Sequence, residues 1–271
     1  MSSRLGIELL SVYGMSPVEQ VRLAGELGCG HISTGLTQLP MNPFNFPGWS
    51  LRDDPALRRE LRAAMRDNGV SISLGEGFGI RPGVEIAERA AEFDLIAELG
   101  ARGVGGVCMD RDLARGRDQF AQLNEMAAQR GLLATIEFAP MQAVADLATA
   151  VSFVEHVDSP NFRLLIDAMH FCRSGAQVRD LAAIAPEKIG YFQLCDVPLQ
   201  PPCDDYMQEA MSQRLLPGEG ELPLAELLAA LPRDIPVGLE VPNLVAVKDR
   251  DALVERLHRA ARAGHALLQQ H

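Results

Sequence analysis

Short apolar runs alternate with longer amphipathic stretches eight times along the chain, and no two strand-like runs meet across a tight turn. That order admits few folds, because strands separated by a dozen or more residues pair in parallel, with the intervening helices covering the sheet. The strand candidates are Leu5–Leu9, Cys29–Ser33, Val70–Leu74, Gly103–Cys108, Leu132–Glu137, Phe162–Asp167, Ile189–Leu194 and Val237–Glu240. Helix candidates lie near 16–27, 53–67, 84–99, 117–130, 143–156, 176–184, 222–231 and 249–269. Ser16-Pro17 with Glu19 reads as an N-cap and an N1 proline, and Gly28, Gly69, Gly100 and Gly131 fall where helices should stop. Eight such units in 271 residues favour a closed (β/α)8 TIM barrel over an open doubly wound α/β sheet. No low-complexity linker divides the chain, so 1–271 is expected to form one domain. The irregular stretches 35–52 and 196–221 follow strand ends, where a barrel carries its active-site loops.

Charge and cysteine usage narrow the partners. With 25 Lys+Arg against 36 Asp+Glu the net charge is −11, and no basic stripe exists to neutralise the phosphates of a nucleic acid. No apolar run approaches the roughly 18 residues of a membrane span. The first residues enter a strand-like run directly, without the apolar core of a signal peptide. Five cysteines, an odd number with no C-x-x-C, point to a reduced, cytoplasmic protein. The expected partner is therefore a small molecule. A homo-oligomer stays compatible with the 35–52 loop, whose Phe44, Phe46 and Trp49 suit either a water-excluding lid or packing against a helix or a second subunit.

Polar residues in strands that should be apolar carry the chemistry. A charge in a buried parallel strand is costly unless paired or bound to a metal. Glu137, Asp167, Gln193 and Glu240 stand at or near the C-terminal ends of four successive strand candidates, on the face where barrel enzymes react. One carboxylate at a strand end is ordinarily a helix N-cap or an ion-pair partner, and one glutamine a satisfied core amide. Three carboxylates converging on one mouth would repel one another unless a cation sat among them. Three carboxylates and an amide oxygen are hard donors, suited to Mn²⁺ or Mg²⁺ before Co²⁺ or Zn²⁺. Such a set leaves about one negative charge around a dication, so a protein cation is expected nearby, and Arg214 is the candidate.

Glu137, Asp167 with His170 three residues on, the polar residue at 193 and Glu240 together resemble the metal site of the xylose-isomerase-like barrels. Arg214-Leu-Leu-Pro-Gly-Glu-Gly resembles that group's R-x-x-P-G-x-G stretch. The likeness runs over nearly the whole chain and is strongest from Leu132 to Asn243. It implies a metal held by Glu137, Asp167, Gln193 and Glu240. It also implies proton transfer by Glu137 and Glu240 across the substrate, and substrate contacts from Arg214 and His170. The group's epimerases usually place a histidine where this chain has Gln193, whereas glutamine there resembles the metal-dependent 3-dehydroshikimate dehydratases. The endonuclease branch, with its histidine-rich site and basic surface, fits poorly.

On sequence, an isomerase or epimerase acting beside a carbonyl of a sugar-like substrate ranks narrowly above a dehydratase, and both rank above a non-catalytic ligand-binding barrel. Glu8 and Glu76, near the ends of strands one and three, divide evenly between lining the mouth and forming ion pairs. His31, inside strand two, reads as a core histidine at least as readily as a functional one, and His258, His265 and His271 read as residues of the last helix or tail. Cys172 and Cys195 read as small buried side chains. The glycine-rich segments 75–79 and 103–106 match no phosphate-binding loop.

Overall fold

The computed structural model describes residues 3–270; His271 lies outside them. Eight parallel strands, each hydrogen-bonded to the next and the last to the first, close a barrel in chain order. They are β1 (Leu5–Ile7), β2 (His31–Thr34), β3 (Ser71–Gly75), β4 (Gly103–Val107), β5 (Leu133–Glu137), β6 (Phe162–Asp167), β7 (Ile189–Leu194) and β8 (Val237–Leu239). Closure rests on β1 pairing with β8 through Leu5, Gly6 and Ile7 opposite Val237, Gly238 and Leu239. The barrel is the (β/α)8 architecture expected from the alternation.

Helices α1 (Pro17–Glu26), α2 (Pro55–Asn68), α3 (Ala90–Glu98), α4 (Leu113–Ala128) and α5 (Leu147–Val157) cover the first five strands. Ser16 and Glu19 form a reciprocal capping box on α1, and Gly28, Gly69, Gly100 and Gly131 all take positive φ just past their helices. After β6 the chain forms α6 (Ala168–Arg173) and α7 (Val178–Ala182), then α8 (Tyr206–Ser212) and α9 (Leu224–Ala230) between β7 and β8, and α10 (Arg250–Leu268). Two helices differ from expectation. α6 and α8 lie outside the expected helices: α6 follows β6 without a break, and α8 falls within the Pro- and Asp-rich 196–221 stretch. The stretch 84–99 divides into a 3-10 turn over Ile86–Arg89 and then α3.

The apolar core lies between barrel and helices, and inside the barrel Leu74, Leu165 and Tyr191 form a separate small cluster. Side chains alternate along a strand, so Leu165 points the same way as Asp167, and Tyr191 the same way as Gln193. The inner cluster is thus the floor of the mouth. Around the rim, the 35–52 loop packs on its own chain. Trp49 donates its indole N–H to the Gly14 carbonyl at 3.1 Å, Phe44 meets Tyr13 edge-on at 5.7 Å, and Arg250 lies 4.3 Å over Phe46. No helix among the described residues is long and apolar enough to cross a membrane.

Candidate active site

The strand ends bring Glu137, Asp167, Gln193 and Glu240 to one mouth, all of them largely buried. Asp167 caps α6, accepting the His170 backbone N–H on Oδ1 at 2.8 Å, and its other oxygen meets Arg214 Nη1 at 2.5 Å. The same Nη1 is 3.0 Å from Glu240 Oε2, so one guanidinium nitrogen bridges two carboxylates. Being an N-cap and facing the site are not alternatives here, because Asp167 has two oxygens and divides them.

Arg214 is 1% exposed, and the span 196–221 is folded to hold it there. Asp196 accepts backbone N–H groups from Val197, Gly218 and Leu222 at 2.9, 3.0 and 3.0 Å, which ties down the Pro-Gly-Glu-Gly turn. The Arg214 N–H donates to the Pro242 carbonyl, and its own carbonyl accepts from Asn243 Nδ2 at 2.9 Å and Arg256 Nη2 at 2.7 Å. Its Nε donates to the Ala210 carbonyl on α8 at 2.8 Å. A long side chain gripped at both ends has lost its rotamer freedom before any ligand arrives.

Electrostatics divide the carboxylates. Burial and then the charges of Glu240 and Asp167 push the Glu137 carboxyl well above its usual range. Burial raises Glu240 to about 8 despite Arg214. Asp167 goes the other way. Burial opposes its charge, but Arg214, His170 and the backbone N–H together outweigh that and hold it below the usual value. Two carboxyls pushed upward by burial and one kept ionised are a pattern that suits proton transfer at the first two.

Glu76 lines the same mouth, and Glu8 lies fully buried against Gln193. Neither meets an Arg or Lys among the described residues. Glu8 accepts the Tyr191 hydroxyl on Oε1 at 2.7 Å and Gln193 Nε2 on Oε2 at 3.3 Å, and Tyr191 shares a 2.8 Å hydrogen bond with Ser73. Glu76 accepts the Ser33 hydroxyl. Burial raises Glu8 to about 8 and Glu76 to about 7, aided by the negative charge of Glu76 and Glu240 respectively. Room for Glu8 comes from Gly238 on the neighbouring strand, where any Cβ would overlap Glu8 Oε1.

Among the described residues no three His, Cys, Asp or Glu side chains surround a common point at ligand distance, and Arg214 lies between Asp167 and Glu240. The donor chemistry nevertheless fits a divalent cation. Gln193 Oε1 is buried without a hydrogen-bond partner, while its Nε2 donates to both Glu8 and Glu240. An unpartnered amide oxygen amid mutually repelling carboxyls is a place where a hard cation relieves several costs together.

Two cavities open at this mouth, and both touch Glu137. One, about 210 Å³, lies over β3 and β4 and is lined by Glu76, Arg81 and Gln193. The other, about 160 Å³, lies toward α8 and is lined by His170, Tyr206, Arg214 and Glu240. A larger hollow of about 530 Å³ between α5 and α7 has only Asp146 and Asp180 as charged lining, and Asp146 is spent as the α5 N-cap.

Sequence reasoning missed Tyr191 and Tyr206. Tyr191 precedes Gln193 by two and shares its inward face, a spacing that the strand period could have exposed. Tyr206 lies on the unanticipated α8 and meets His170 Nδ1 at 2.6 Å. His31 is a core residue, its Nε2 against the Arg4 carbonyl at 2.6 Å. His258 pairs with Glu26 and His265 with the Leu27 carbonyl, away from the mouth. Burial pushes the Cys195 thiol far up and Cys172 to about 11, leaving neither as a nucleophile.

His170 yields a direct expectation. Its Nε2 is 3.5 Å from Glu137 and 3.5 Å from Arg214 Nη2. Burial, with Arg214 adding to it against Asp167, lowers its pKa to about 4. The unfolded imidazole sits near 6.5, so the stability tied to the neutral ring is present above that value and lost as pH falls through the folded one. Nitrogen-15 NMR should find the ring neutral between about pH 5 and pH 8. Titration near the ordinary histidine value would mean that the ring is solvated.

A family model described as the xylose isomerase-like TIM barrel matches residues 21–269. A curated 3-dehydroshikimate dehydratase of Pseudomonas aeruginosa is 32% identical over 203 residues, 68% of this chain. The chain spans 31% of that relative's length. Among solved structures, IolI protein with a bound zinc atom superposes with a TM-score of 0.79 at 16% identity, covering 98% of each chain. AsbF of Bacillus anthracis, a probable 3-dehydroshikimate dehydratase, gives 0.72 at 15% identity, with 96% of this chain and 98% of that one covered. At those identities the two structures speak for the fold alone.

Proposed function

Because the chain belongs to the xylose isomerase-like TIM barrel family, we propose that it is a divalent-metal-dependent lyase that removes water from a small polyhydroxylated ketone of the 3-dehydroshikimate kind. The observation that carries this reading is Gln193, a neutral oxygen donor among carboxylates at the position where the epimerase pattern has a histidine. The likeness to the curated dehydratase supports it in addition. Mn²⁺ or Mg²⁺ would be held by Glu137, Asp167, Gln193 and Glu240. When bound, the cation polarises a substrate oxygen and acidifies the neighbouring C–H.

The residues supply the rest. Glu240 takes the proton from the carbon beside the carbonyl. The electron pair left behind forms the new double bond as the β-hydroxyl departs, and Glu137 donates the proton that makes it water. His170 and Arg214 hold substrate oxygens in the α8-side cavity. The 196–221 segment closes that side against solvent, which keeps the carboxyls in a low-dielectric setting.

The same pair of carboxylates can instead return the proton to carbon, giving isomerisation or epimerisation. This second reading rests on Glu137 and Glu240 sharing one mouth, which suits proton transfer in either outcome.

The test is incubation with 3-dehydroshikimate in the presence of Mn²⁺ or Mg²⁺. Metal-dependent growth of the ultraviolet absorbance of an aromatic product is expected, lost on chelation while circular dichroism stays that of a folded barrel. Solvent-deuterium uptake into keto-sugars with formation of an epimer or aldose, and no aromatic product, would transfer the assignment to the isomerase reading.

A further inference from the structure

We infer that Glu8 is a positioning residue that fixes the side-chain amide of Gln193 with its nitrogen inward and its oxygen free for the divalent cation. This rests on the reading of the mouth as a cation site.

An amide can sit in its plane in two ways, and its neighbours decide which. Gln193 Nε2 lies 3.3 Å from Glu8 Oε2 and 3.2 Å from Glu240 Oε1. Glu8 already accepts the Tyr191 hydroxyl and Glu240 is paired with Arg214, so both act as acceptors. Turned over, the amide would set its own oxygen against them, and the N–H side faces them instead. That orientation leaves Oε1 without a partner in a buried site, a costly state that a cation reverses. Glu240 would be needed at the cation, which leaves Glu8 as the acceptor that keeps the amide from turning.

Glu8 is itself held by groups outside the proposed ligand set. The Tyr191 hydroxyl donates to its Oε1 at 2.7 Å, and the 2.8 Å contact with Ser73 fixes that hydroxyl. The Glu8 backbone N–H donates to the Leu239 carbonyl at 3.0 Å, and Gly238 leaves the space that the side chain enters. With Ser73 donating to the Tyr191 oxygen, a chain of hydrogen bonds thus runs from Ser73 through Tyr191 to Glu8, which accepts from Gln193. Outer groups of this kind orient metal ligands and commonly govern affinity.

The test is the Mn²⁺ dissociation constant of the full chain by titration calorimetry, with the melting temperature of the chelated protein. Glu8→Gln can offer its own N–H to Gln193 and turn the amide round. It is expected to weaken Mn²⁺ binding by about 10- to 100-fold without lowering the chelated melting temperature, since a buried carboxyl is removed. The same change in a Gln193→Glu background, where both ligand atoms are oxygens, is expected to alter affinity by less than about threefold. Tyr191→Phe loosens Glu8 while keeping its charge and should weaken Mn²⁺ in the same direction. Equal losses in both backgrounds would make Glu8 a source of charge only and overturn the inference. So would an unchanged constant in Glu8→Gln with wild-type binding intact, leaving the metal reading standing. A wild-type chain that binds no Mn²⁺ overturns both.

Discussion

Glu240→Gln is expected to cut turnover of 3-dehydroshikimate by at least about 100-fold. The amide keeps a donor oxygen but cannot accept a proton. It also removes a carboxyl whose pKa, raised to about 8 by burial against the pull of Arg214, suits it to take and release a proton near neutral pH. Metal content measured on the same preparation separates the two roles proposed for the residue. Retained Mn²⁺ with a collapsed rate identifies the proton acceptor. Retained Mn²⁺ with a near-normal rate would exclude Glu240 from that role and pass it to Glu137.

The second large effect concerns stability. Arg214→Met should destabilise the chelated protein by about 3–5 kcal/mol, which for a chain of this size lowers the melting temperature by on the order of 10 °C. Removing the guanidinium strands Asp167 beside Glu240 and Glu137, all buried, with no other Arg or Lys paired to any of them among the described residues. Saturating Mn²⁺ should restore much of the loss, because the cation supplies the missing positive charge and binds only the folded chain. Thermal melts with chelator and with Mn²⁺ read both quantities. A melting temperature unchanged in chelator would mean that burying Arg214 costs as much as its two ion pairs return.

The barrel was legible because its evidence is local and repeated. Each strand is a short apolar run, and stop signals such as Gly69 and Gly100 recur at helix ends. Asp167, Gln193 and Glu240 were legible for the opposite reason, each breaking an apolar run that had no other use for it. The support beneath them was not. Glu8, just past the first strand, and Tyr191 on the seventh meet over the eighth strand between them, and no local period records such a contact. α8, with Tyr206 against His170, was hidden because it follows directly on the Pro- and Asp-rich run 196–205, whose composition reads as loop. Strand β1 stops at Ile7, short of the expected Leu9, because the Leu9 N–H leaves the ladder for the Ser33 hydroxyl at 2.8 Å.

Gly238 and Glu8 lie at opposite ends of the chain and become neighbours only where the last strand closes on the first. Since no side chain at 238 can coexist with the carboxylate of Glu8 as placed, the two positions are not free to drift separately. Over evolutionary time, a chain that keeps glutamate at the end of its first strand should keep glycine opposite it on the eighth. A chain that acquires a larger residue there should shorten the side chain at position 8 in step. Such a correlated pair would serve as a two-letter mark of this seam, sorting related barrels by whether they retain an acid beneath the seventh-strand glutamine.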